Sequence, residues 1–195
     1  MYFKVAKKNF YNALSVAARA ISTFSPLPAF SGIKIDAKED CLVLTGSDSD
    51  VSIQTKLVKS EDCNLEIRDM GSIVIEAKYI LEIVRKINAD EIEFEVIDGC
   101  STKISGNTAE FRINGMRANE YPAIDFSKPK ECFTMEEDIL RRIILQTSFA
   151  TSDKETRPVL TGVNFACDGT TLNCVATDSY RLAKKTIEIK ESLNF

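Results

Sequence analysis

The residue types most often used in catalysis are unevenly represented in this 195-residue chain, which has six cysteines and no histidine. Without histidine the chain cannot form Ser-His-Asp or Cys-His catalytic sites, HExxH metal sites or histidine-based proton shuttles. No two cysteines have the CxxC spacing of a zinc ribbon or a thioredoxin-like site, so we expect free thiols in a reducing cytosol. The sequence therefore predicts no metal site, no cofactor and no enzyme.

Two short motifs place an aspartate between hydroxyl side chains, at Ser47-Asp48-Ser49 and at Thr177-Asp178-Ser179. Each motif follows a segment of alternating apolar residues, where a strand should end. Aspartate at such a position commonly accepts hydrogen bonds from backbone N–H groups of a turn. We therefore expect Asp48 and Asp178 to shape turns rather than to act in catalysis.

The elements that position these motifs follow from hydrophobic periodicity, since helices repeat apolar residues every three or four positions and strands alternate them. Helical stripes comprise Phe10, Ala13, Leu14, Ala17 and Ile21; Ile80, Ile83, Val84 and Ile87; and Leu140, Ile143, Ile144 and Thr147. Strands are predicted at residues 1–5, 33–35, 42–44, 51–57, 73–76, 91–96, 110–113, 132–135, 162–167, 172–176 and 183–190. The two prolines within residues 24–28 end the first predicted helix. Residues 121–129 have the composition of a linker.

An internal repeat without gaps relates residues 130 positions apart. The matched pairs include Phe3 and Phe133, Leu14 and Ile144, Pro28 and Pro158, Gly32 and Gly162, and Leu42 and Leu172. A weaker restart near Ser72 has the same order of strand, helix and strand. We therefore predict two such units in a first domain at residues 1–125, and a third unit that begins a second, truncated domain at residues 126–195.

The charge of the chain is distributed unevenly between its helices and the rest. The formal net charge is −4, but the predicted helical segments 7–20, 78–88 and 138–150 carry +3, +2 and +1, which leaves −10 elsewhere. Basic helices that share one surface can contact a polyanion even in an acidic protein, although solvated helix faces explain the same charges. No apolar run approaches the roughly 20 residues of a membrane helix, so we expect a cytoplasmic protein without membrane contact.

Several motifs, together with the repeat, resemble a known family. They are Leu27-Pro28 before the Gly32 strand, EAKYILEIVRKI at Glu76–Ile87, EYP at Glu120–Pro122 and ATDSYRLA at Ala176–Ala183. The sequence resembles the bacterial replicative sliding clamp family, the beta subunit of DNA polymerase III, over essentially its whole length. The last motif is similar to that family's ATD-x-(H/Y)-RLA signature. The resemblance implies an α+β DNA-clamp fold of repeated strand-helix-strands units, with antiparallel sheets outside and helices facing the DNA channel.

The same resemblance implies a processivity factor rather than an enzyme. Clamps of this family are ring-shaped homodimers with three domains per subunit, so this chain would hold the first domain and half of the second, without the third. The implied partners are duplex DNA, bound without sequence preference, and the DNA polymerase III catalytic subunit, the clamp loader and other proteins with clamp-binding motifs. Topological retention requires only phosphate contacts, which tolerate sliding.

Three sets of residues are assigned by this resemblance. The client-peptide pocket comprises Leu160, Thr177, Ser179, Tyr180, Arg181 and Leu182. The DNA-facing set comprises Lys78, Lys154 and Arg157, the positions Phe24 and Pro158 where the family often has basic or aromatic residues, and Arg19 on charge alone. The ring interface comprises Tyr79, Ile83, Phe111 and Ile113. Ser47-Asp48-Ser49 lacks the Tyr-Arg-Leu continuation and is expected to keep the turn without binding clients.

Other interpretations of the same residues stay open at the level of the sequence. The 177–182 segment would equally suit a plain turn with Leu182 in the core, and Phe111 and Ile113 would suit core positions of an alternating strand. For the whole chain, the alternatives are an enzyme with a cysteine nucleophile, which the absence of histidine disfavours, and a β-rich adaptor that binds only proteins.

Overall fold

The computed structural model describes residues 1–22, 27–129 and 132–194, and it divides the chain into two units. Unit 1 comprises Met1–Asp125 and unit 2 comprises Phe126–Phe195. Among the described residues, none of the helices is long and apolar enough to cross a membrane.

Three helices and twelve strands make up the regular structure of the described residues. The helices are α1 (Lys7–Ala17), α2 (Ala77–Lys86) and α3 (Glu137–Thr147). The strands of unit 1 are β1 (Tyr2–Ala6), β2 (Gly32–Ala37), β3 (Cys41–Ser47), β4 (Ser52–Val58), β5 (Glu66–Asp69), β6 (Gly71–Glu76), β7 (Glu91–Asp98), β8 (Ser101–Gly106), β9 (Ala109–Asn114) and β10 (Met116–Arg117). Those of unit 2 are β11 (Asn164–Thr177) and β12 (Leu182–Asn194), and short 3-10 turns cover Ala18–Ala20, Pro28–Ser31, Ala118–Glu120, Ser148–Ala150 and Pro158–Leu160.

Unit 1 consists of two halves that exchange strands. One sheet has the order β5-β1-β7-β8-β9 and the other β10-β6-β2-β3-β4, with antiparallel pairing throughout. The first strand of each half therefore pairs with the strand that follows the helix of the other half: β1 with β7, and β6 with β2. Neither half closes its sheet alone, and the two must fold together.

The core of unit 1 is centred on three phenylalanines from three elements. The rings of Phe3 on β1 and Phe94 on β7 stack with centroids 4.7 Å apart. Phe10 on α1 meets both rings edge-on, at centroid distances of 5.6 Å to Phe3 and 6.4 Å to Phe94. All three are fully buried, so this cluster fixes α1 against the strand pair that joins the two halves.

The helical stripes predicted for unit 1 are confirmed within α1 and α2, whereas the predicted stripe members Ile21 and Ile87 lie beyond the ends of these helices. Phe10, Leu14, Ile80 and Val84 are all fully buried, as an amphipathic helix requires of its apolar face. Where α1 meets β3, Gly46 is required, because a Cβ atom there would lie 2.1 Å from the carbonyl oxygen of Ala17.

The predicted strand at residues 132–135 is wrong, since the described residues 132–136 carry no regular structure. Their counterpart in unit 1, β1, is held by pairing with β5 and β7. The described part of unit 2 contains no strands equivalent to these two. Residues 132–135 therefore have a strand-forming pattern but no neighbouring strand with which to form backbone hydrogen bonds.

Further differences from the predicted elements have local causes. Strands β5, β8 and β10 were not predicted, because none of them has a clear alternation of apolar residues. A single strand, β11, covers residues 164–167 of the segment predicted as 162–167 and all of the segment predicted as 172–176, with a register shift between Gly169 and Thr171. The predicted linker begins with Tyr121, which is buried with its ring 5.3 Å from that of Phe30. Burial raises the pKa of Tyr121 to about 12.

Unit 2 packs α3 against β11 and β12 around a small core of Ile143, Cys167, Leu172 and Cys174. The predicted stripe of α3 is only partly buried, because Leu140 and Ile144 are exposed. Burial raises the pKa of the Cys174 thiol, which keeps this core cysteine in its neutral form.

Candidate peptide-binding turn and DNA-facing residues

The turn between β11 and β12 is held by hydrogen bonds from its own side chains. Oδ1 of Asp178 accepts the backbone N–H groups of Tyr180 and Arg181, both at 2.9 Å. The Thr177 hydroxyl donates to the carbonyl oxygen of Arg181 at 2.7 Å, and Oγ1 of Thr177 accepts the N–H of Ser179 at 3.2 Å. These bonds allow Ser179 to adopt a left-handed φ of +78°. The prediction that Asp178 shapes a turn is confirmed.

The carboxylate of Asp178 also orients the guanidinium that follows it. Nε of Arg181 donates to Oδ2 of Asp178 at 3.0 Å. The backbone N–H bonds from Arg181 and Tyr180, with the Arg181 charge as a smaller cause, hold the pKa of Asp178 below its usual range. The turn therefore carries a carboxylate whose ionised form is favoured, and this carboxylate presents Arg181 in a defined orientation.

The side chains that follow Asp178 point into solvent. Tyr180 is 97% exposed and Leu182 is 65% exposed, whereas the next residue, Ala183, is buried in a cluster with Ala150 and Ala176. The alternative that Leu182 is a core residue is therefore wrong. The turn offers an aromatic ring, an aliphatic side chain and a guanidinium on one exposed segment.

Phe149 is a member of this surface that the sequence analysis missed. It lies in the 3-10 turn Ser148–Ala150, and the guanidinium of Arg181 lies 5.8 Å from its ring centroid. Phe149 is exposed. The sequence did contain an indication of this position. Phe149 lies 130 residues after Arg19, so the repeat has an aromatic residue in unit 2 where it has a charged one in unit 1.

Leu160 reaches the same region through the backbone. It ends the 3-10 turn Pro158–Leu160, and its carbonyl oxygen accepts the N–H of Ser152 at 2.8 Å, two residues after the Ser148–Ala150 turn. Leu160 is partly exposed. The Ser152–Leu160 backbone bond thus links Leu160 to the Phe149 segment, and Phe149 contacts Arg181.

The counterpart turn of unit 1 has the same backbone bonds and different side chains. Oδ1 of Asp48 accepts the N–H groups of Asp50 and Val51 at 3.1 and 2.8 Å, and Ser49 has a φ of +90°. The turn prediction for Asp48 is therefore confirmed as well. Without a tyrosine, arginine and leucine to follow it, this turn lacks the apolar and cationic groups of its counterpart.

The predicted DNA-facing residues occupy several surface positions. Arg19 is exposed on the 3-10 turn after α1, and Lys78 is exposed on the first turn of α2, with its ammonium 5.9 Å from the ring centroid of Tyr79. Lys154, Arg157 and Pro158 are exposed in the loop between α3 and β11. Phe24 lies outside the described residues.

Two other basic residues of α2 are already paired with an acid. Arg85 and Lys86 share the carboxylate of Glu82, with N–O distances of 2.7 and 3.2 Å. These partners, through hydrogen bonds and charge, lower the pKa of Glu82. Lys78 is exposed on the same helix and, among the ion pairs of the described residues, does not share the Glu82 carboxylate as Arg85 and Lys86 do.

The predicted ring-interface residues lie on an edge strand and on α2. β9 is the outer strand of its sheet, and Phe111 on it is 39% exposed. Ile113 on the same strand and Ile83 on α2 pack partly against the core, while Tyr79 is exposed. Full burial of Phe111 as a core residue is therefore excluded, and its role at an interface stays a prediction.

A concave site of a different kind lies elsewhere in unit 2. A cavity of about 310 Å³ separates residues 133–136 from β12, with Met135, Ile139, Ile187 and Ile189 among its lining residues. Over the described residues, no group of three or more histidine, cysteine, aspartate or glutamate side chains could hold a metal ion. The cavity is mainly apolar and shares no residue with the 177–182 turn.

Comparison with protein families identifies both parts of the chain. Residues 1–125 match the family described as DNA polymerase III beta subunit, N-terminal domain. Residues 134–194 match the central domain of the same subunit.

Curated relatives agree with this match. The chain is 40% identical over 194 residues to the beta sliding clamp of Halalkalibacterium halodurans, covering 98% of this chain and 51% of that protein. It is 38% identical to the beta sliding clamp of Bacillus subtilis, covering 100% of this chain and 53% of the relative. The chain therefore spans about half the length of the curated relatives it matches.

Solved structures agree in fold. The crystal structure of the Bacillus subtilis DNA polymerase sliding clamp superimposes with a TM-score of 0.94 at 36% identity, covering 100% of this chain and 53% of that one. The DNA polymerase III beta chain of Streptococcus pneumoniae gives the same TM-score at 32% identity, covering 99% of this chain and 52% of that one. These matches confirm the α+β clamp fold, and the chain belongs to the DNA polymerase III beta subunit family.

Proposed function

We propose that this chain is part of a non-catalytic sliding clamp that keeps replication proteins on duplex DNA. The observation that carries the proposal is the agreement of fold and sequence over nearly the whole chain with proteins named as sliding clamps. In the complete ring, two subunits would enclose the duplex. Retention would then depend on topology, and binding would need no reading of bases.

The DNA-facing role is assigned to exposed cations outside local ion pairs. Lys78, Arg19, Lys154 and Arg157 are the proposed contacts, supported by their exposure in the described structure. Each contact with a phosphate releases counterions and adds a small, sequence-independent increment of affinity. Several such increments hold the duplex loosely enough for sliding.

The client-binding role is assigned to the 177–182 turn with Leu160. A client peptide in extended conformation would place apolar anchors against Leu182, Leu160 and the ring of Tyr180. Arg181 would donate to peptide carbonyl oxygens from the orientation that Asp178 gives it. We add Phe149 to this site, because its exposed ring packs under the Arg181 guanidinium. The proposed clients are the replicative polymerase, the clamp loader and other proteins with such a peptide.

A peptide titration tests the client site. A fluorescent peptide with a clamp-binding motif should bind the 195-residue chain, and Arg181→Ala or Leu160→Ala should weaken binding at least tenfold, in line with loss of an anchor of roughly 1.4 kcal/mol or more. Arg112→Ala is the matched control, since this exposed arginine pairs with Glu110 in unit 1. Unchanged binding by folded Arg181→Ala protein would refute the assignment.

The adaptor alternative differs from a clamp in its behaviour on DNA. A form of this protein with the full length of its relatives should, once loaded, remain on circular duplex DNA and leave when the circle is cut. An adaptor would show the same retention on both substrates. Equal loss from circular and linear DNA would contradict encirclement, and the peptide titration would still report on the client site.

A further inference from the structure

The two halves of unit 1 are equivalent at the level of single residues. Val5 on β1 lies opposite Ile92 on β7, and Ile75 on β6, 70 positions after Val5, lies opposite Ile33 on β2. The five pairs between β1 and β7 recur in the same order between β6 and β2, and the two sheets have equivalent strand orders. The halves are therefore related by an internal twofold axis.

This equivalence continues into the helices. Each helix begins directly after its strand, so that Lys8 is the second residue of α1 and Lys78 is the second residue of α2. Both lysines are exposed, and each stands two residues before a fully buried side chain, Phe10 or Ile80. Two residues correspond to about 200° around a helix, so both lysines point away from the core. Lys8 therefore occupies in α1 the place that Lys78 occupies in α2.

The two helices pack against each other in opposite directions. The ammonium group of Lys7, the first residue of α1, donates to the carbonyl oxygen of Ile87, which directly follows α2. The start of α1 therefore lies beside the end of α2. With the rise of an α-helix, the chain from Lys78 to Ile87 spans about 14 Å, so Lys8 and Lys78 are separated by about this distance along the helices. The major groove of duplex DNA has a comparable width of about 12 Å.

Lysine at these two positions is unfavourable for helix stability. The first turn of a helix carries partial positive charge, which favours acidic residues and disfavours cations. The helix of unit 2 follows this rule, since α3 has Glu137 and Asp138 in its first turn, and Asp138 lies 130 residues after Lys8. Neither α1 nor α2 has an acidic residue in its first turn. A local rule broken at two equivalent exposed positions indicates a functional site.

The helix of Lys8 offers its charge no acidic partner. On a helix, ion pairs form between residues three or four positions apart, and these positions after Lys8 are Tyr11 and Asn12. The whole of α1 contains no aspartate or glutamate. The charge of Lys8 is therefore not offset by its own helix.

We propose that Lys8 contacts a phosphate of duplex DNA as the twofold counterpart of Lys78. The inference rests on the DNA-facing role proposed above for Lys78, and it adds a residue that neither the family resemblance nor the helix charges singled out. The two strands of a duplex are antiparallel and are themselves related by twofold axes. Lys8 and Lys78, at opposite ends of the helix pair, would each contact one of these strands, without reading any base.

A salt titration on duplex DNA tests this contact in a form of the protein with the full length of its relatives. Lys8→Ala should reduce the slope of log affinity against log salt concentration by about 1, as Lys78→Ala should, and the double variant by about 2. Lys38→Ala is the matched control, because Lys38 is an exposed lysine in the turn between β2 and β3. It removes the same charge away from the helices and should leave the slope unchanged.

A charge reversal separates DNA binding from folding. Lys8→Glu should weaken DNA binding more than Lys8→Ala does. The same substitution should raise the Tm of the 195-residue chain by about 1–4 °C, because it replaces a cation by an anion at the positive end of α1. Lower affinity in a more stable protein cannot result from unfolding. Lys38→Glu should produce neither effect.

Three results would overturn the proposal. If Lys8→Ala keeps the parent slope while Lys78→Ala lowers it, Lys8 is not a DNA contact, and the proposed role of Lys78 stands. If Lys38→Ala lowers the slope as much as Lys8→Ala does, the effect belongs to net charge. If Lys8→Glu lowers the Tm, Lys8 has a structural role in α1. Unchanged slopes for both Lys8→Ala and Lys78→Ala would contradict the DNA-facing assignment itself, and this inference with it.

Discussion

At the scale of residues, two turns with the same backbone bonds separate structure from function. Asp48 and Asp178 each accept two N–H groups of the following residues. Only the turn of Asp178 continues with Tyr180, Arg181 and Leu182, and only there does the carboxylate also hold a guanidinium. The aspartate builds the turn, and the three following residues supply the proposed binding groups.

The lowered pKa of Asp178 gives a pH-dependent contribution to stability. Since the pKa is lower in the folded state, this contribution is present above the unfolded pKa and is lost as the pH falls through the folded value. Asp178→Asn keeps an oxygen acceptor and removes the charge, so unfolding should be easier at pH 7 and the difference from the parent should disappear in acid. Thermal unfolding from pH 2 to 7 measures this. A difference that is constant with pH would contradict it.

Lys78 and Lys86 provide a matched pair for the DNA surface, because both are exposed on α2 and only Lys86 is paired with Glu82. In a form of this protein with the full length of its relatives, Lys78→Ala should reduce the slope of log affinity against log salt concentration by about 1, which is the effect of losing one phosphate contact. Lys86→Ala should reduce it less. Equal effects of the two substitutions in a salt titration on duplex DNA would remove Lys78 from the contact set.

At the scale of elements, unit 1 depends on contacts between its halves. The stacked rings of Phe3 and Phe94 join the first strand of one half to a strand of the other, and Phe10 attaches α1 to both. β7 is distant in sequence from β1 and α1, so this cluster joins segments that are far apart along the chain. The two halves should therefore unfold together in one transition.

Removal of one ring should expose this dependence. Phe94→Ala should lower the free energy of unfolding of unit 1 by about 3–5 kcal/mol, through lost burial and a residual cavity. Phe126→Ala, at an exposed position, should change it by no more than about 0.5 kcal/mol. Urea unfolding measures both. A Phe94→Ala effect below that of an ordinary surface substitution would contradict the role of the cluster.

At the scale of the whole molecule, the two units differ in how much apolar surface they enclose. Unit 1 has an extended core formed by its two halves and a smaller cluster around Phe30 and Tyr121, whereas the described part of unit 2 has two small clusters around Ile143 and Ala150. Stability in a protein is not uniform, and segments with few buried contacts open more readily. We therefore expect unit 2 to be the less protected part of this chain.

Hydrogen exchange should report this difference directly. Amides of β2, β3 and β7 should exchange most slowly, and those of β12 should exchange at least tenfold faster at low protein concentration, reflecting the smaller core. Equal protection of both units in dilute protein would contradict the expectation.

Much of the fold could be predicted from the sequence, because burial of apolar side chains follows local periodicity. The stripes of α1 and α2 and the alternation of β2, β3 and β7 determined those elements before any tertiary contact was known. The repeat at 130 residues revealed equivalent units, and the ATDSYRLA motif located the turn of Asp178. These are local signals, and they need no knowledge of what lies opposite in space.

Tertiary structure alone decided what depends on a partner in space. Residues 132–135 have a strand pattern and form no strand, because pairing requires a neighbour that the described part of unit 2 does not provide. Leu140 and Ile144 fit a buried stripe and remain exposed for the same reason. Phe149 became part of the candidate site only when its ring was found beneath Arg181. The sequence by itself determined which surfaces need a neighbour, and the tertiary structure decided which of them have one, because a contact is a property of two segments while a pattern belongs to one.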